Sequence, residues 1–189
     1  ERKQTIGLDS GINSLASLST EEQLGLNIKE QIEKINRKKY GSKGQKRARK
    51  ALKQMMDEVA KQIIQNENID CLVVEKLNNL NYKSKIKKRL GKNQRKVIGS
   101  WAWRYWLTRL QMNCEENRVF FRSVPCYNTS ITCNECGHTD KRNREKDMFL
   151  CLSCGHADNA DINAAKNILG LFLTGPYGVG FKPLIYKIL

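Results

Sequence analysis

Apolar and polar positions change period several times along the chain, and each change marks an element. Thr5 to Asp9, Ser14 to Ser19 and Gln23 to Ile28 are short apolar-rich runs separated by Ser10-Gly11 and Thr20-Glu21-Glu22, which predicts a meander of three strands. From Lys29 to about Asn66 the period becomes helical. Ile32, Ile35, Met55, Val59 and Ile63 fall at helical spacing, and a break near Gly41-Ser42-Lys43-Gly44 divides the region into two basic helices. Ile69 to Glu75, with Cys71-Leu72-Val73-Val74 at its centre, is the continuous apolar run of a buried central strand, and it ends in a carboxylate. Trp103, Trp106, Leu107, Leu110 and Cys114 occupy one face of a further helix, and the tryptophans are expected in the core rather than as platforms for bases. Val119 to Val124 predicts another strand, stopped by Pro125. The last helix is expected from Asn159 to about Phe172, with Ala165, Ile168 and Phe172 on the face that carries Asp161.

Three meander strands followed by alternating helices and strands predict an α/β fold. The order is that of the ribonuclease H-like layout, a mixed sheet flanked by helices. The 189 residues can bury one substantial core and a small satellite module. The chain opens on Glu1-Arg-Lys-Gln and runs at once into an apolar strand, which suggests the C-terminal part of a longer protein.

Charge narrows the class of partner. Thirty-four Lys and Arg against nineteen Asp and Glu give +15, a field suited to a nucleic-acid backbone. It is clustered: Lys83, Lys85, Lys87, Lys88, Arg89, Lys92, Arg95 and Lys96 form an acid-free run expected to hold nucleic acid, and Lys34 to Lys53 is nearly as one-sided. No stretch has the roughly 18 consecutive apolar residues of a membrane span, and no signal peptide is visible, so no membrane partner is expected.

Four of the seven cysteines form two CxxC pairs, Cys133/Cys136 and Cys151/Cys154; Cys71, Cys114 and Cys126 remain. An odd count with this spacing points to metal in a reducing compartment, hence to the cytoplasm. Each pair lies on a glycine-containing knuckle, and four thiolates make a closed tetrahedral zinc site about 2.3 Å per bond, structural because no position is left for a substrate. His138 and His156 then lie outside the ligand set, and the polar insert Asp140 to Asp147 is a solvated hairpin tip whose arginines could touch a phosphate.

Three acids end three otherwise apolar elements: Asp9 the first strand, Glu75 the fourth, and Asp161 lies in the first turn of the last helix. If the first and fourth strands are neighbours, the three converge. Their repulsion is then relieved by two divalent cations, Mg²⁺ or Mn²⁺, about 3.5–4 Å apart. Taken singly, each acid has an ordinary structural use as a turn cap, a strand-end surface group or a partner of a helix dipole.

Ile6-Gly-Leu-Asp9-Ser-Gly-Ile-Asn13, Val73-Val-Glu75-Lys-Leu77, Thr129-Ser130-Ile-Thr132-Cys133, the two Cys-Gly-His knuckles and Asp161-Ile-Asn-Ala-Ala-Lys-Asn167, in this order, resemble the RuvC nuclease and zinc-ribbon region of transposon-encoded TnpB proteins. The compact type V CRISPR effector nucleases are similar to these. The resemblance runs from Thr5 to about Leu171. It implies that Asp9, Glu75 and Asp161 are metal-binding catalytic carboxylates and that Cys133, Cys136, Cys151 and Cys154 hold zinc. It also implies a DNA endonuclease directed by a guide RNA, the RNA being bound largely by an N-terminal part. Its division of the chain is a nuclease domain over 1–125, a zinc ribbon that helps load the DNA strand over 126–157, the last nuclease helix over 158–173 and a tail over 174–189. Where many relatives have a closely spaced acid, Arg, acid sequence, this chain has Asp158-Asn-Ala-Asp161, with Asp158 read as the helix N-cap. The alternative is a guide RNA- and DNA-binding protein whose RuvC-like domain does not cut. A Holliday-junction role is disfavoured by the cysteine module and the Asn-Ala-Ala-Lys motif. The sequence leaves the oligomeric state open.

Overall fold

The strand and helix order expected from the apolar pattern is the order found. The structure, a computed structural model, describes residues 4–66, 68–76, 102–125 and 127–174; the basic run Lys83 to Lys96, Cys126 and the tail beyond 174 lie outside the described residues. The elements are β1 (Gln4–Asp9), β2 (Ala16–Leu18), β3 (Gln23–Leu24), α1 (Ile28–Asn36), α2 (Lys43–Asn66), β4 (Ile69–Glu75), α3 (Trp103–Glu116) and β5 (Phe120–Val124). A smaller module follows, with β6 (Arg144–Glu145), β7 (Met148–Leu150) and β8 (Ala157–Asn159), and then α4 (Ala160–Thr174).

The five-stranded sheet has the order β3-β2-β1-β4-β5. β1, β2 and β3 are antiparallel neighbours, whereas β4 lies parallel to β1 and to β5, so the sheet is mixed. Because strand side chains alternate, the central strands have two distinct faces. Ile6, Leu8, Leu72 and Val74 point to one face and pack with Ile28, Ile32, Leu52, Met56, Trp106 and Leu110 of α1, α2 and α3. Trp106 is fully buried and its indole N–H donates to Ser10 Oγ at 3.0 Å, so this tryptophan belongs to the core. On the other face Cys71 and Val73 pack with Val124, Ile168 and Leu171 of β5 and α4.

Gly7 permits that second layer. A Cβ there would lie 2.3 Å from the Ala165 carbonyl oxygen and 2.8 Å from the Leu169 nitrogen, so α4 rests directly on the backbone of β1. By strand parity, Asp9 shares this face with Gly7, and Glu75 shares it with Val73.

Element ends shift by a few residues from the expectation, as at β2, which is only Ala16–Leu18, and two of the differences have a visible cause. β3 stops at Leu24 instead of Ile28, because Gly25 takes φ +67 and turns the chain. Ile28 then enters α1 as a fully buried helical residue. The cap of α4 is Asn159, not Asp158: Asn159 Oδ1 accepts from the backbone N–H of Asp161 at 2.9 Å and of Ile162 at 3.3 Å. Asp158 instead pairs with Lys166 at 2.9 Å. Among the described residues no helix is long and apolar enough to cross a membrane.

Candidate active site and metal centre

Asp9, Glu75 and Asp161 line one cleft of about 330 Å³, together with the β1–β2 turn, Asn128, Thr129, Ser130 and Arg144. Register brings the first two together. Leu8 pairs with Val74 across the parallel β1–β4 ladder, so the next residues, Asp9 and Glu75, leave adjacent strand ends on the same face. The close seat of α4 on Gly7 supplies the third carboxylate from the first turn of that helix.

Asp9 is the member of the set most affected by its surroundings. The Asp9 carboxyl is pushed from 3.8 up to about 7, first by burial and then by the charges of Asp161 and Glu75; Arg144 and the Ser10 backbone N–H pull the other way. Burial also raises Glu75. Acids that repel one another in a partly dry cleft are a donor set suited to hard divalent cations, whose charge removes the penalty. Among the described residues the four cysteines are the group whose ligand atoms all lie within 4.8 Å of one another. Asp9, Glu75 and Asp161 do not form a group of that tightness.

The cleft contains one cation that the sequence did not single out. Arg144 Nη2 donates to Asp161 Oδ1 at 2.7 Å, and the pair is largely buried. Arg144 begins β6, and its reach depends on the antiparallel pairing of Arg144 with Phe149 in β7. The polar insert is thus a solvated hairpin only in part: Arg142 is exposed and pairs with Asp140, while Arg144 points into the cleft.

The cysteine module is built from one turn used twice. Cys133 N–H donates to the His138 carbonyl at 2.9 Å and Cys151 N–H to that of His156 at 2.8 Å. Gly137 and Gly155 each adopt φ +75 and donate back to Cys133 and Cys151 at 3.0 Å. The left-handed glycine folds each CxxC so that both sulfurs face the same point. Across the pairs, Sγ of Cys133 and Cys154 are 3.7 Å apart and those of Cys136 and Cys151 are 3.5 Å apart. Tetrahedral zinc with bonds of about 2.3 Å sets its sulfurs about 3.8 Å apart, so the cluster fits that ion. Burial pushes the Cys133 thiol up to about 12. At Cys151, burial is outweighed by the backbone N–H groups of Cys154 and Ser153 and by the neighbouring thiols, leaving that group at about 7. The imidazoles of His138 and His156 are not part of this group.

Asparagines staple the module to α4. Asn163 Nδ2 donates to the Thr132 carbonyl at 2.8 Å and its Oδ1 accepts from Asn134 N–H at 3.1 Å. Asn167 Nδ2 donates to the carbonyls of Thr129 and Thr132 at 2.8 and 2.7 Å. Asn13 Nδ2, from the β1–β2 turn, reaches Asp147 Oδ1 at 2.5 Å. These bonds hold the Thr129–Ser130 wall and the Arg144 hairpin against the acids.

Residues 103–168 match the family described as Cas12f1-like, TNB domain. The CRISPR-associated DNA-binding protein Cas12m of Thermanaerosceptrum fracticalcis is 41% identical over 63 residues, which cover 33% of this chain and 11% of that protein. The CRISPR-associated endodeoxyribonuclease Cas12f1 of Sulfoacidibacillus thermotolerans is 32% identical over 74 residues, 39% of this chain and 18% of that protein. The TnpB-like protein aq_aa05 of Aquifex aeolicus (strain VF5) is 33% identical over 107 residues, 54% of this chain and 33% of that protein. Among solved structures, the fold is similar to the cryo-EM structure of a Cas12f1-sgRNA-target DNA complex, with a TM-score of 0.60 at 21% identity over 86% of this chain and 48% of that one. The chain therefore has the likeness to TnpB-like and compact type V effector proteins that its motifs announce. The matches span 11% to 33% of the length of these three relatives.

Proposed function

We propose that the chain is the cutting portion of an RNA-guided DNA endonuclease. In this reading residues 1–125 and 158–173 form a RuvC-type, ribonuclease H-like nuclease domain, 126–157 a zinc ribbon inserted before its last helix, and 174–189 a tail. The observation that carries it is the convergence of Asp9, Glu75 and Asp161 in one cleft, with Asp9 raised to about 7 by burial and by the other two.

Asp9, Glu75 and Asp161 would hold two Mg²⁺ or Mn²⁺ ions, which when bound supply the charge that clamps the attacking water and the leaving oxygen of a phosphodiester. Asp161, held at 2.7 Å by Arg144, is fixed in orientation before any ion or strand arrives. The guanidinium has further N–H donors for a phosphate oxygen. Asn128, Thr129 and Ser130 line the cleft with side-chain donors that can position the strand, and the Asn163 and Asn167 staples set that wall. The ribbon's zinc keeps Cys133, Cys136, Cys151 and Cys154 in place and takes no part in hydrolysis. Lys83 to Lys96 would hold nucleic acid by its phosphates, with no sequence preference and a strong dependence on salt. Guide RNA and target DNA are the partners, and the protein works in the cytoplasm.

In the guide-loaded protein Asp9→Ala abolishes Mg²⁺-dependent DNA cleavage while zinc content and fold persist. Cleavage at the wild-type rate contradicts the assignment. A second reading, binding without cutting, is favoured by the likeness to a protein named for DNA binding. A guide-loaded wild-type protein that binds target DNA and leaves it intact with Mg²⁺ or Mn²⁺ present would establish that reading instead.

A further inference from the structure

Between Lys34 and Lys53 the chain has ten lysines and arginines and no acid. All ten are exposed on the α1–α2 hairpin. Lys34 and Arg37 pair with Glu30 and Glu33 one turn earlier in α1. For the other eight, no carboxylate lies within 4.0 Å among the described residues. Lys46, Arg49, Lys50 and Lys53 line a second cavity, of about 370 Å³, with Leu52 and Ala102 as its apolar wall. Lys53 Nζ also lies 4.6 Å from the centre of the Tyr105 ring. So many like charges within about one Debye length repel one another unless a polyanion covers them.

The hairpin faces away from the carboxylates. α1 and α2 pack on the Ile6 and Leu8 side of the sheet, whereas the acids lie on the side covered by α4. About 20 Å of sheet and helix therefore separates the two regions, and a strand in the cleft does not also lie on the hairpin. Seven lysines and three arginines make up the charge of the face, while the Gln45 side chain is buried and accepts from the Gly41 N–H at 2.9 Å. A face of clustered positive charge suits duplex RNA, which proteins take by shape and by its phosphates because its major groove is too narrow for side chains.

We propose that the outer face of the α1–α2 hairpin is a second nucleic-acid surface, which holds duplex RNA by its phosphates and takes no part in cutting. The choice of RNA rests on the reading of the carboxylate cleft as the place of the DNA strand; the existence of the surface does not.

Fluorescence polarisation with the zinc-loaded chain, an RNA duplex of about 20 base pairs and no magnesium tests it. Lys46→Glu combined with Lys50→Glu weakens RNA binding about tenfold and reduces the slope of log K against log salt by about 2, roughly one for each phosphate that is no longer neutralised. Lys61→Glu, on the same helix beyond the acid-free stretch, leaves both unchanged. Unchanged RNA affinity in the double variant overturns the proposal, as does an equal or larger loss for a DNA duplex of the same sequence. Tyr40, 87% exposed at the tip of the hairpin, supplies a further control. A loss in Tyr40→Ala as large as that of the double variant would indicate stacking on a single strand and would likewise overturn it. Binding is read without cleavage, so an inactive Asp9→Ala protein, or a wild type that never cuts, leaves the outcome unaffected.

Discussion

Replacing Asp9 with Asn removes one charge from a crowded cleft, and its effect on stability depends on pH with a definite sign. In the metal-free cleft the Asp9 carboxyl sits at about 7 against an ordinary 3.8, owing to burial and then to Asp161 and Glu75. Between those values the unfolded chain has lost this proton and the folded chain keeps it. The folded state then binds more protons, so stability falls as pH rises: the contribution is fully present below 3.8 and lost above about 7. A displacement of about 3 pH units at about 1.4 kcal/mol each sets a ceiling of about 4 kcal/mol, which water reaching a half-buried group reduces to roughly 2–4 kcal/mol. Urea unfolding of zinc-loaded, magnesium-free protein should therefore find Asp9→Asn more stable than wild type by that amount at pH 8.5. The advantage should be about 2 kcal/mol smaller at pH 5, because much of the loss falls between these two values. The zinc module is the same in both proteins and cancels in the difference. Saturating Mg²⁺ should reverse the order, since at 100 times its dissociation constant each of two bound ions adds about 2.7 kcal/mol, together more than the advantage of the Asn variant. An advantage that does not change with pH, or an Asn variant less stable than wild type at pH 8.5, would refute the account of the cleft.

Two other perturbations test how the cleft is assembled. Gly7→Ala places a methyl 2.3 Å from the Ala165 carbonyl oxygen, so α4 must lift from β1. We expect a loss of about 1–3 kcal/mol in denaturant unfolding and weaker divalent-ion binding, because Asp161 moves with the helix. Zinc should bind at about one ion per chain and release at least two protons at pH 7, since the Cys133 thiol lies near 12 and that of Cys136 is also raised by burial. Calorimetry in buffers of different ionisation enthalpy counts those protons, and hydrogen exchange should show order lost from about Pro125 to His156 on chelation.

Much of the sheet was legible because its strands are short apolar runs with clear stops. Asp9 and Glu75 stood out because each ends such a run; the role of Gly7, two residues before Asp9, emerges only from the seat of α4 on its backbone. What escaped was set by contacts distant in sequence. Arg144 lies in a polar insert without periodicity, and only the pairing of β6 with β7 and the return of the module over α4 aim it at Asp161, 17 residues later. Asn163 and Asn167 belong to a motif of the resemblance, but nothing in the sequence says that their side chains meet carbonyls 31 to 38 residues earlier in the chain. The exchange of roles between Asp158 and Asn159 was equally hidden. Both are good caps, and Lys166, paired with Asp158 and Glu21, favours the asparagine as the cap.

Everything proposed for the cleft requires that Asp9, Glu75 and Asp161 act together as a divalent-ion site. Electron paramagnetic resonance of Mn²⁺ titrated into the zinc-loaded chain measures this directly. It should show two saturable Mn²⁺ ions per chain, displaced by Mg²⁺, with binding lost in Asp9→Asn and in Asp161→Asn while the zinc content stays at one. No saturable Mn²⁺ in the wild type, or the same binding in the Asn variants, would contradict it.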